Sequence, residues 1–407
     1  MPETPLPQTM IERRSPAFLL AFALANAGGV LGYLPLLSLL LPVKIEAIAG
    51  EARLDLFTAT VIAGALSASV SNILFGWLSD RAVARGGGRR AWMAGGVAAT
   101  ALSYVLIVLA TSPLAIVLAI VAFQFAVNAM LAPLLAVMAD EIPDSQKGVA
   151  GGLLQLAQPV AAAVCALLVG FAIGEAAQMA ILAGMIALLA APLLATRSRP
   201  LADQRVTTAQ ARLSRRDLAI AWVARLLIQV SGAVLSLYLF YYFESLSANH
   251  PADLAARVAQ VLTAACVVTL PIAVLTGRFS DRIARRKPFL MAMAALAAAA
   301  LLGMAWATSF AVAALCFGLF TIGQSVFLAL HSAFAMQLLP DPRRRGRDLG
   351  LINLTNTFPS LLGPLLAWML ATPRDFDAVM LTLAALTLGA GMVIFAVREG
   401  PRARTPR

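Results

Sequence analysis

One uncharged stretch decides the fold: residues 91–139 read AWMAGGVAATALSYVLIVLATSPLAIVLAIVAFQFAVNAMLAPLLAVMA, without a single Asp, Glu, Lys or Arg. The hydrocarbon core of a bilayer is about 30 Å thick, so a helix needs about 20 apolar residues to cross it. This stretch is long enough for two such helices, which meet at Ala110-Thr111-Ser112. Residues 288–340 form a second uncharged stretch of the same kind, divided at Ala307-Thr308-Ser309.

Eight further uncharged stretches are each long enough for one span, which brings the prediction to twelve transmembrane helices. They are residues 15–43, 56–79, 148–174, 176–196, 226–243, 258–277, 349–373 and 378–397. Lipid offers backbone N–H and C=O groups no partner, so such segments must be helical, and they lack the alternation of β-barrel strands. Only 13% of the residues are charged, against roughly 25% in soluble domains. We therefore expect an all-α integral membrane protein.

The basic residues are distributed unevenly between the two sides of the predicted membrane. With the N-terminus placed in the cytoplasm, 26 of the 31 Lys and Arg residues fall in cytoplasmic segments and four fall in outer loops. By the positive-inside rule, this predicts a multi-pass protein of the cell inner membrane with both termini cytoplasmic. The net charge of +11 is then explained by topology, and no nucleic-acid partner is expected.

Three short motifs occur twice at a nearly constant spacing. GWLSDR at 76–81 returns as GRFSDR at 277–282, 201 positions later, whereas Ala-Thr-Ser and the Pro-Asp pair at 143–144 return 197 positions later. Parallel repeats of this kind occur in membrane transporters, and they predict two pseudo-symmetric six-helix bundles. The predicted boundaries are an N-terminal tail (1–15), an N-terminal bundle (16–196), a basic cytoplasmic linker (197–216), a C-terminal bundle (217–397) and a cytoplasmic tail (398–407).

The first copy of the longest motif resembles the signature of the major facilitator superfamily. It runs from Gly76 to Arg81 and continues with Arg85, Gly88, Arg89 and Arg90, and a degenerate second copy is also typical of the family. The resemblance implies a twelve-helix secondary transporter (MFS fold) with its substrate near the midplane between the halves. Residues 88–92 and 345–350 further resemble the glycoside and sucrose–cation symporter branch, although spans 1 and 2 carry no carboxylate.

A gating role is predicted for residues around the two motif copies. We expect the Asp80 carboxylate to form a latch, by pairing with nearby arginines or with a helix end of the opposite half in the outward-open state. A glycine such as Gly76 lets another helix approach closely. The alternative is that the loop is only a topology signal. The predicted gating residues are Gly76, Asp80, Arg81, Arg89, Arg90, Gly277, Asp281, Arg282, Asn353 and Asn356.

Polar side chains inside the predicted spans are the candidates for substrate binding, because such groups usually face the bundle interior or a water-filled cavity. The resemblance implies that spans 1, 4, 7 and 10 line this cavity. Their candidates are Asn26, Tyr33, Gln124, Asn128, Arg225, Gln229, Gln324 and His331. The alternative for such amides is hydrogen bonding between neighbouring helices.

Arg225 and His331 are the titratable side chains deep in the predicted bundle, and each has two interpretations. Arg225 either snorkels toward the interface or binds an anionic group of the substrate. His331 either carries a coupled proton, because imidazole titrates near physiological pH, or serves as a hydrogen-bonding group. The coupling ion is expected to be H⁺ or Na⁺.

We expect a secondary transporter, not an enzyme, that moves a small polar solute by alternating access, with proton-coupled uptake of a sugar-like compound or metabolite as the first interpretation. The alternatives are export of amphipathic drug-like compounds or metabolites, and a non-transporting sensor or assembly factor. The sequence contains no phosphate-binding loop and no His, Asp, Glu or Cys cluster at catalytic or ligand spacing, so no cofactor is expected. The expected partners are the small-molecule substrate, the coupling ion and the lipid bilayer, and the chain is expected to be a monomer.

Overall fold

The protein is built from helices joined by short connections. The structure is a computed structural model, and it describes residues 13–49, 53–170, 173–201, 208–246, 254–283, 285–370 and 376–398. The first half contains α1 (Pro16–Pro35), α2 (Leu41–Ala49), α3 (Arg53–Ala84), α4 (Arg89–Leu109), α5 (Pro113–Glu141), α6 (Asp144–Leu154), α7 (Ala157–Gly170) and α8 (Glu175–Leu194). The second half contains α9 (Thr208–Ser245), α10 (Leu254–Ile283), α11 (Lys287–Ala305), α12 (Phe310–Gln337), α13 (Arg345–Leu370) and α14 (Asp377–Phe395).

Within the described residues, eleven helical segments are long and apolar enough to cross a membrane. They coincide with predicted spans 1 to 10 and 12, where span 1 combines α1 with α2 and span 5 combines α6 with part of α7. Predicted span 11, residues 349–373, falls largely within the continuous helix α13, and its last three residues lie outside the described ranges. The predicted all-helical membrane fold is confirmed.

Equivalent helices of the two halves begin with equivalent caps. Ser112 accepts a hydrogen bond from the backbone N–H of Ala115 at the start of α5. Ser309 accepts one from the N–H of Val312 at the start of α12. A serine in this position satisfies one of the first N–H groups of a helix, which have no intrahelical partner. The repeated Ala-Thr-Ser triplet therefore marks the same helix start in both halves.

Two spans of the first half are interrupted. In span 1 a π-helical turn, Leu36–Leu40, follows Pro35, and proline lacks the N–H that a regular helix uses. In span 5, α6 and α7 are separated by a turn at Gln155 and Leu156. Irregular backbone at membrane depth is tolerated where it is buried in protein or lines a cavity, and both breaks contribute residues to the wall of a central cavity.

Each half packs around an apolar cluster that contains a hydrogen-bonded tyrosine. Tyr104 donates to the carbonyl of Gly32 over 2.6 Å and stacks on Phe123, and Tyr242 donates to the carbonyl of Met304 over 2.7 Å. Large apolar side chains are exposed on the outside of both halves, among them Leu102, Leu109, Leu188, Leu315 and Phe395. Lipid tails are as apolar as leucine, so these faces suit a bilayer.

The two halves meet through two equivalent pairs of helices. In one pair α3 packs against α13, and in the other α10 packs against α6. The repeat relates α3 to α10 and α6 to α13, so the two contacts are copies of each other. The end of the bundle where α3 and α10 finish carries arginine-rich loops with exposed side chains such as Arg85 and Arg343; we call it the basic end.

Candidate functional site

A cavity of about 620 Å³ lies between the two halves. In the first half its wall comes from α1, α3, α5 and the break between α6 and α7, and in the second half it comes from α9, α12 and α13. Pockets of this size hold small organic ligands. Apolar side chains form much of the wall, among them Val30, Leu34, Val61, Ile120, Val127, Leu131, Leu349 and Ile352.

Seven residues singled out by the sequence line this cavity. They are Asn26, Tyr33, Gln124, Asn128, Arg225, Asn353 and Asn356. Asn353 and Asn356, which were predicted to act in gating, both lie on the cavity wall. Five of the eight side chains predicted to bind substrate are thus brought together from α1, α5 and α9.

The first half contributes a hydrogen-bonded row of amides to the wall. Asn72 of α3 donates to the Asn128 side chain over 2.7 Å, and Asn128 donates to the carbonyl of Gln124 over 2.8 Å. Asn26 approaches the carbonyl of Leu154, at the break in span 5, over 3.5 Å. Sequence reasoning missed Asn72, because it is the single amide of span 2 and has no second amide at helical spacing on its own helix.

The second half contributes a chain of polar groups that converges on Asn356. The Asn356 side-chain oxygen accepts a hydrogen bond from Gln229 over 2.6 Å and a longer one from Arg225 over 3.4 Å. Its amide nitrogen donates to the side-chain oxygen of Asn353 over 2.6 Å. Asn353 lines the cavity, and with its oxygen occupied it keeps an NH₂ group that has no hydrogen-bond partner among the described residues.

Three residues predicted to line the cavity, Gln229, Gln324 and His331, lie outside its wall. Gln229 sits behind Asn356. Gln324 and His331 do share one face of α12, but that face packs on α9: Gln324 donates to the Ile228 carbonyl over 3.3 Å, and His331 bonds the Ala221 carbonyl over 2.8 Å. The close approach of α9 and α12 therefore converts this polar face into contacts between neighbouring helices, which was the alternative interpretation.

At the basic end, Asp80 connects the first half to the second. Its carboxylate accepts hydrogen bonds from the backbone N–H groups of Gly346, over 2.9 Å, and Arg347, over 3.0 Å, in the first turn of α13. Arg89 pairs with the same carboxylate over 2.8 Å. The first N–H groups of a helix lack intrahelical partners and carry partial positive charge, so an anion binds well there. We call these contacts the Asp80 bridge.

Asp281 makes the equivalent connection from the second half to the first. Its carboxylate accepts from the backbone N–H groups of Gly148, over 3.0 Å, and Val149, over 3.1 Å, near the start of α6. Arg286 pairs with it over 2.9 Å. We call these contacts the Asp281 bridge. Each half thus places one aspartate on the backbone of the other half, and both side chains are only 4% exposed.

Glycines let the two halves touch backbone to backbone beside both bridges. A Cβ atom added at Gly76 would overlap the carbonyl oxygen of Gly346, and one added at Gly277 would overlap the carbonyl oxygen of Gly148. The reverse additions, at Gly346 and Gly148, would also come within 3.0 Å of the facing half. None of the four positions has room for a side chain while the halves are in contact.

Three of the predicted gating arginines, Arg81, Arg90 and Arg282, take no part in either bridge. Arg81 is exposed and lies over the ring of Trp77, 4.5 Å from its centroid. Arg90 pairs with Glu141 over 2.6 Å. Arg282 is exposed at the end of α10, and the arginine that pairs with Asp281 is Arg286.

Sequence reasoning also missed an ion pair that joins the halves beside the Asp80 bridge. Asp140, at the end of α5, accepts from Arg89 over 2.5 Å and from Arg345 of the other half over 3.2 Å. Asp140 follows the long uncharged stretch directly, so its position at the basic end was visible in the sequence. Its partner across the interface was not, because the distance between two loops depends on how the halves dock.

A family description, Major Facilitator Superfamily, matches the sequence over residues 16–252 and again over residues 222–407. The chain belongs to the Major Facilitator Superfamily. The two matches together cover both halves, and they place this chain in a family of membrane transporters. No curated protein matches the sequence significantly.

Solved structures of superfamily transporters share the fold over nearly the whole chain. The human organic anion transporter MFSD10 is 15% identical, with a TM-score of 0.70 over 94% of this chain and 100% of that one. FucP in the outward conformation is 16% identical, with a TM-score of 0.71 over 94% and 99%. A bacterial homologue of the iron transporter ferroportin, in an outward-facing state, is 15% identical, with a TM-score of 0.70 over 93% and 98%. At these identities the likeness shows the fold alone.

Proposed function

We propose that this superfamily member is a secondary transporter that carries a small solute by alternating access, with its basic end toward the cytoplasm. The observation that supports this most directly is the cavity between the halves, combined with the Asp80 and Asp281 bridges that hold the halves together at the basic end. Both bridges are contacts between halves, so a rocking motion of one half against the other breaks both together. In this proposal the bridges are latches of the outward-facing state.

The cavity extends from Met336 and Leu349, near the basic end, toward the opposite end of the bundle. Its lining includes Ser38, in the later part of span 1, and Thr60, in the early part of span 2, and both positions lie far along the helices from the basic end. Two of the similar structures are described as outward-facing or outward. We therefore propose that the solute enters from the outer side and leaves after the latches open.

Export of an amphipathic compound is the second candidate, and the largely apolar wall of the cavity favours it. The two directions differ in the gradient that drives net movement. Vesicles of known orientation distinguish the two directions. An energised right-side-out vesicle accumulates an imported solute above the outside concentration, whereas it loses an exported solute from its interior.

A ligand screen followed by transport tests the proposed function. Purified full-length protein is heated with members of a library of sugars, organic acids and drug-like compounds. A ligand at 100 times its Kd contributes about 2.7 kcal/mol to stability, which a melting curve detects. Each stabilising compound is then tested for counterflow in proteoliposomes. We expect at least one stabilising compound to be transported; binding without transport of any of them would instead support a sensor.

We expect His331→Gln to leave the pH dependence of transport unchanged. The His331 ring is fully buried, stacks on Phe327 and lies outside the cavity wall, so we expect it to make no contact with a solute in the cavity. Glutamine keeps a donor for the Ala221 carbonyl. Initial uptake rates in proteoliposomes across the range in which histidine titrates provide the measurement. A flat pH profile in the variant, against a sloped one in the wild type, would assign the coupled proton to His331.

A further inference from the structure

The central cavity contains one positive charge with no counter-charge. Arg225 is the charged residue of the lining, and none of the described lining residues is Asp, Glu, His or Lys. Charged side chains inside a membrane bundle are costly, and they normally pair with an opposite charge or mark a substrate pathway. No carboxylate pairs with Arg225 in the described part of the chain, so its expected partner is a group that enters the cavity.

The Arg225 side chain stays inside the bundle instead of extending toward the basic end. Nη1 donates to the carbonyl of Leu328, nine residues before the end of α12, or roughly 14 Å at 1.5 Å per residue. Nη2 donates to Asn356, eleven residues into α13, or roughly 16 Å by the same rise. Snorkelling would carry the charge toward water. The observed position favours the other interpretation, in which the guanidinium binds an anionic group of the substrate.

The guanidinium has hydrogen-bond donors to spare. Its contacts with Leu328, Ser332 and Asn356 are 3.3–3.4 Å long, beyond the usual range for N–H···O bonds. Its buried Nε has no hydrogen-bond partner. A guanidinium has five N–H donors, and its bonds to an anionic oxygen are shorter and about twice as strong as neutral ones. An incoming anion would therefore replace weak contacts with strong ones.

The described lining of the cavity offers one positive charge and several neutral polar groups. The oxygen of Asn356 already accepts from Gln229 and Arg225, and the remaining NH₂ of Asn353 is a donor that suits an anionic oxygen. The facing wall in the first half combines the row of neutral amides with aliphatic side chains, Val30, Leu34, Val127 and Leu131, and its described residues carry no charge. A second anionic group would find no second positive charge among the described lining residues, and a cation would meet Arg225.

We infer that the solute is an organic monoanion, whose carboxylate or sulfonate group binds Arg225 and whose apolar body packs against the aliphatic wall of the first half. This inference rests on the proposed function, because it names the substrate class for the same cavity. Neutral sugars, cationic drugs and metal cations lack the negative charge that would compensate Arg225.

Matched pairs of acids and amides test the inference by binding. The probes are octanoate, benzoate and benzenesulfonate, each compared with its primary amide, and octylamine serves as the cationic probe. We expect acids of this series to raise the melting temperature of the purified protein and to bind at least about tenfold tighter than their amides, a difference of about 1.4 kcal/mol. Absence of an acid preference across the whole series would overturn the inference.

Two substitutions of Arg225 and one control variant test whether the preference for acids over amides arises in the cavity. Arg225→Gln is expected to abolish the acid preference while amide binding stays within about threefold, and Arg225→Lys is expected to retain a weaker preference because it keeps the charge. Arg85→Gln removes one positive charge from an exposed loop and should leave the preference intact. An unchanged preference in Arg225→Gln, with a lower ligand-free melting temperature, would show that Arg225 is a structural group and overturn the inference.

A transport experiment distinguishes failure of this inference from failure of the proposed function. Labelled benzenesulfonate is used, because it stays ionised and does not cross a bilayer as a neutral acid. Uptake that depends on Arg225 supports both ideas. If monoanions bind through Arg225 but no compound of the library is transported, the proposed function fails and the anion site stands. If neutral or cationic compounds are transported and monoanions do not bind, the proposed function stands and the inference is overturned.

Discussion

Gly76→Ala is expected to reduce transport by about an order of magnitude or more, although alanine makes α3 a better helix. A Cβ atom at this position would overlap the Gly346 carbonyl oxygen of the facing half, and a backbone atom cannot move aside as a side chain can. Overpacking of this kind costs about 1–3 kcal/mol, which corresponds to about a 5- to 150-fold change in an equilibrium. The penalty applies only while the halves touch at the basic end.

The conformational equilibrium provides the direct measurement. Spin labels at positions 85 and 343, which are exposed in loops of opposite halves, report the separation of the halves in a background without Cys165, Cys266 and Cys316. We expect Gly76→Ala to shift the distance distribution to longer values. Gly277→Ala should do the same, because it meets Gly148 in the equivalent contact.

Gly95→Ala is the matched control for this experiment. It makes the same chemical change within a helix of the first half, and an added Cβ there meets nothing within 4 Å. Both changes raise helix propensity by up to about 1 kcal/mol, so any difference between them comes from the contact between the halves. Wild-type distances and wild-type transport in Gly76→Ala would show that the close approach is dispensable.

The spans and the paired motifs could be predicted from the sequence because they follow from local rules. A run without charges, long enough to cross a bilayer, has few alternatives to a membrane helix. The repeat also predicted which aspartates lie at equivalent positions in the two halves. What it did not predict is which partner each would have, since that depends on contacts between distant parts of the chain.

The arginine of the second bridge was in fact available from the spacing of the repeats. The offset between the halves is 201 at the Asp80 motif and 197 at the Ala-Thr-Ser triplet that follows it, so the second half has lost four residues between them. After that deletion the offset is 197, so the residue of the second half that is equivalent to Arg89 is Arg286, not Arg282. The structure has Arg89 and Arg286 in equivalent ion pairs.

The cavity wall was harder to predict than the bridges, for a physical reason. Amides at helical spacing share a face, but a polar face bonds a neighbouring helix as readily as it lines a water-filled space. On α12 the face with Gln324 and His331 packs on α9, where Gly232 leaves room for the Gln324 side chain. On α9 itself, Arg225 faces the cavity. The sequence does not distinguish these cases, because both satisfy the polar groups.

Asp80→Asn and Asp281→Asn are each expected to slow turnover while leaving solute affinity within a few-fold. Asparagine can accept only through one oxygen and carries no charge, so it loses hydrogen bonds that are worth about 1.5–3 kcal/mol when one partner is charged. Asp80→Asn also loses the favourable interaction of an anion with the first turn of α13. We expect the latched state to be depopulated by about 10- to 100-fold in each variant.

Both variants should fold, because neither leaves a guanidinium without an acceptor. Arg89 keeps its pair with Asp140 over 2.5 Å. Arg286 keeps the carbonyl of Asp144, also over 2.5 Å. Glu175→Gln is the matched control: it neutralises a carboxylate that pairs with Lys44 within the first half, so it should leave the equilibrium between states unchanged.

The double variant tests whether the two bridges act as one closure. If the halves rock as rigid bodies, both bridges break in the same step, and their effects on the free energy of the latched state should add to within about 0.5 kcal/mol. Turnover and the separation of labels at positions 85 and 343 are measured in both single variants and in the double variant. Wild-type turnover in both single variants would end the latch proposal. A large effect of Asp80→Asn beside none of Asp281→Asn would show that one bridge alone closes the basic end, despite the equivalent geometry of the two.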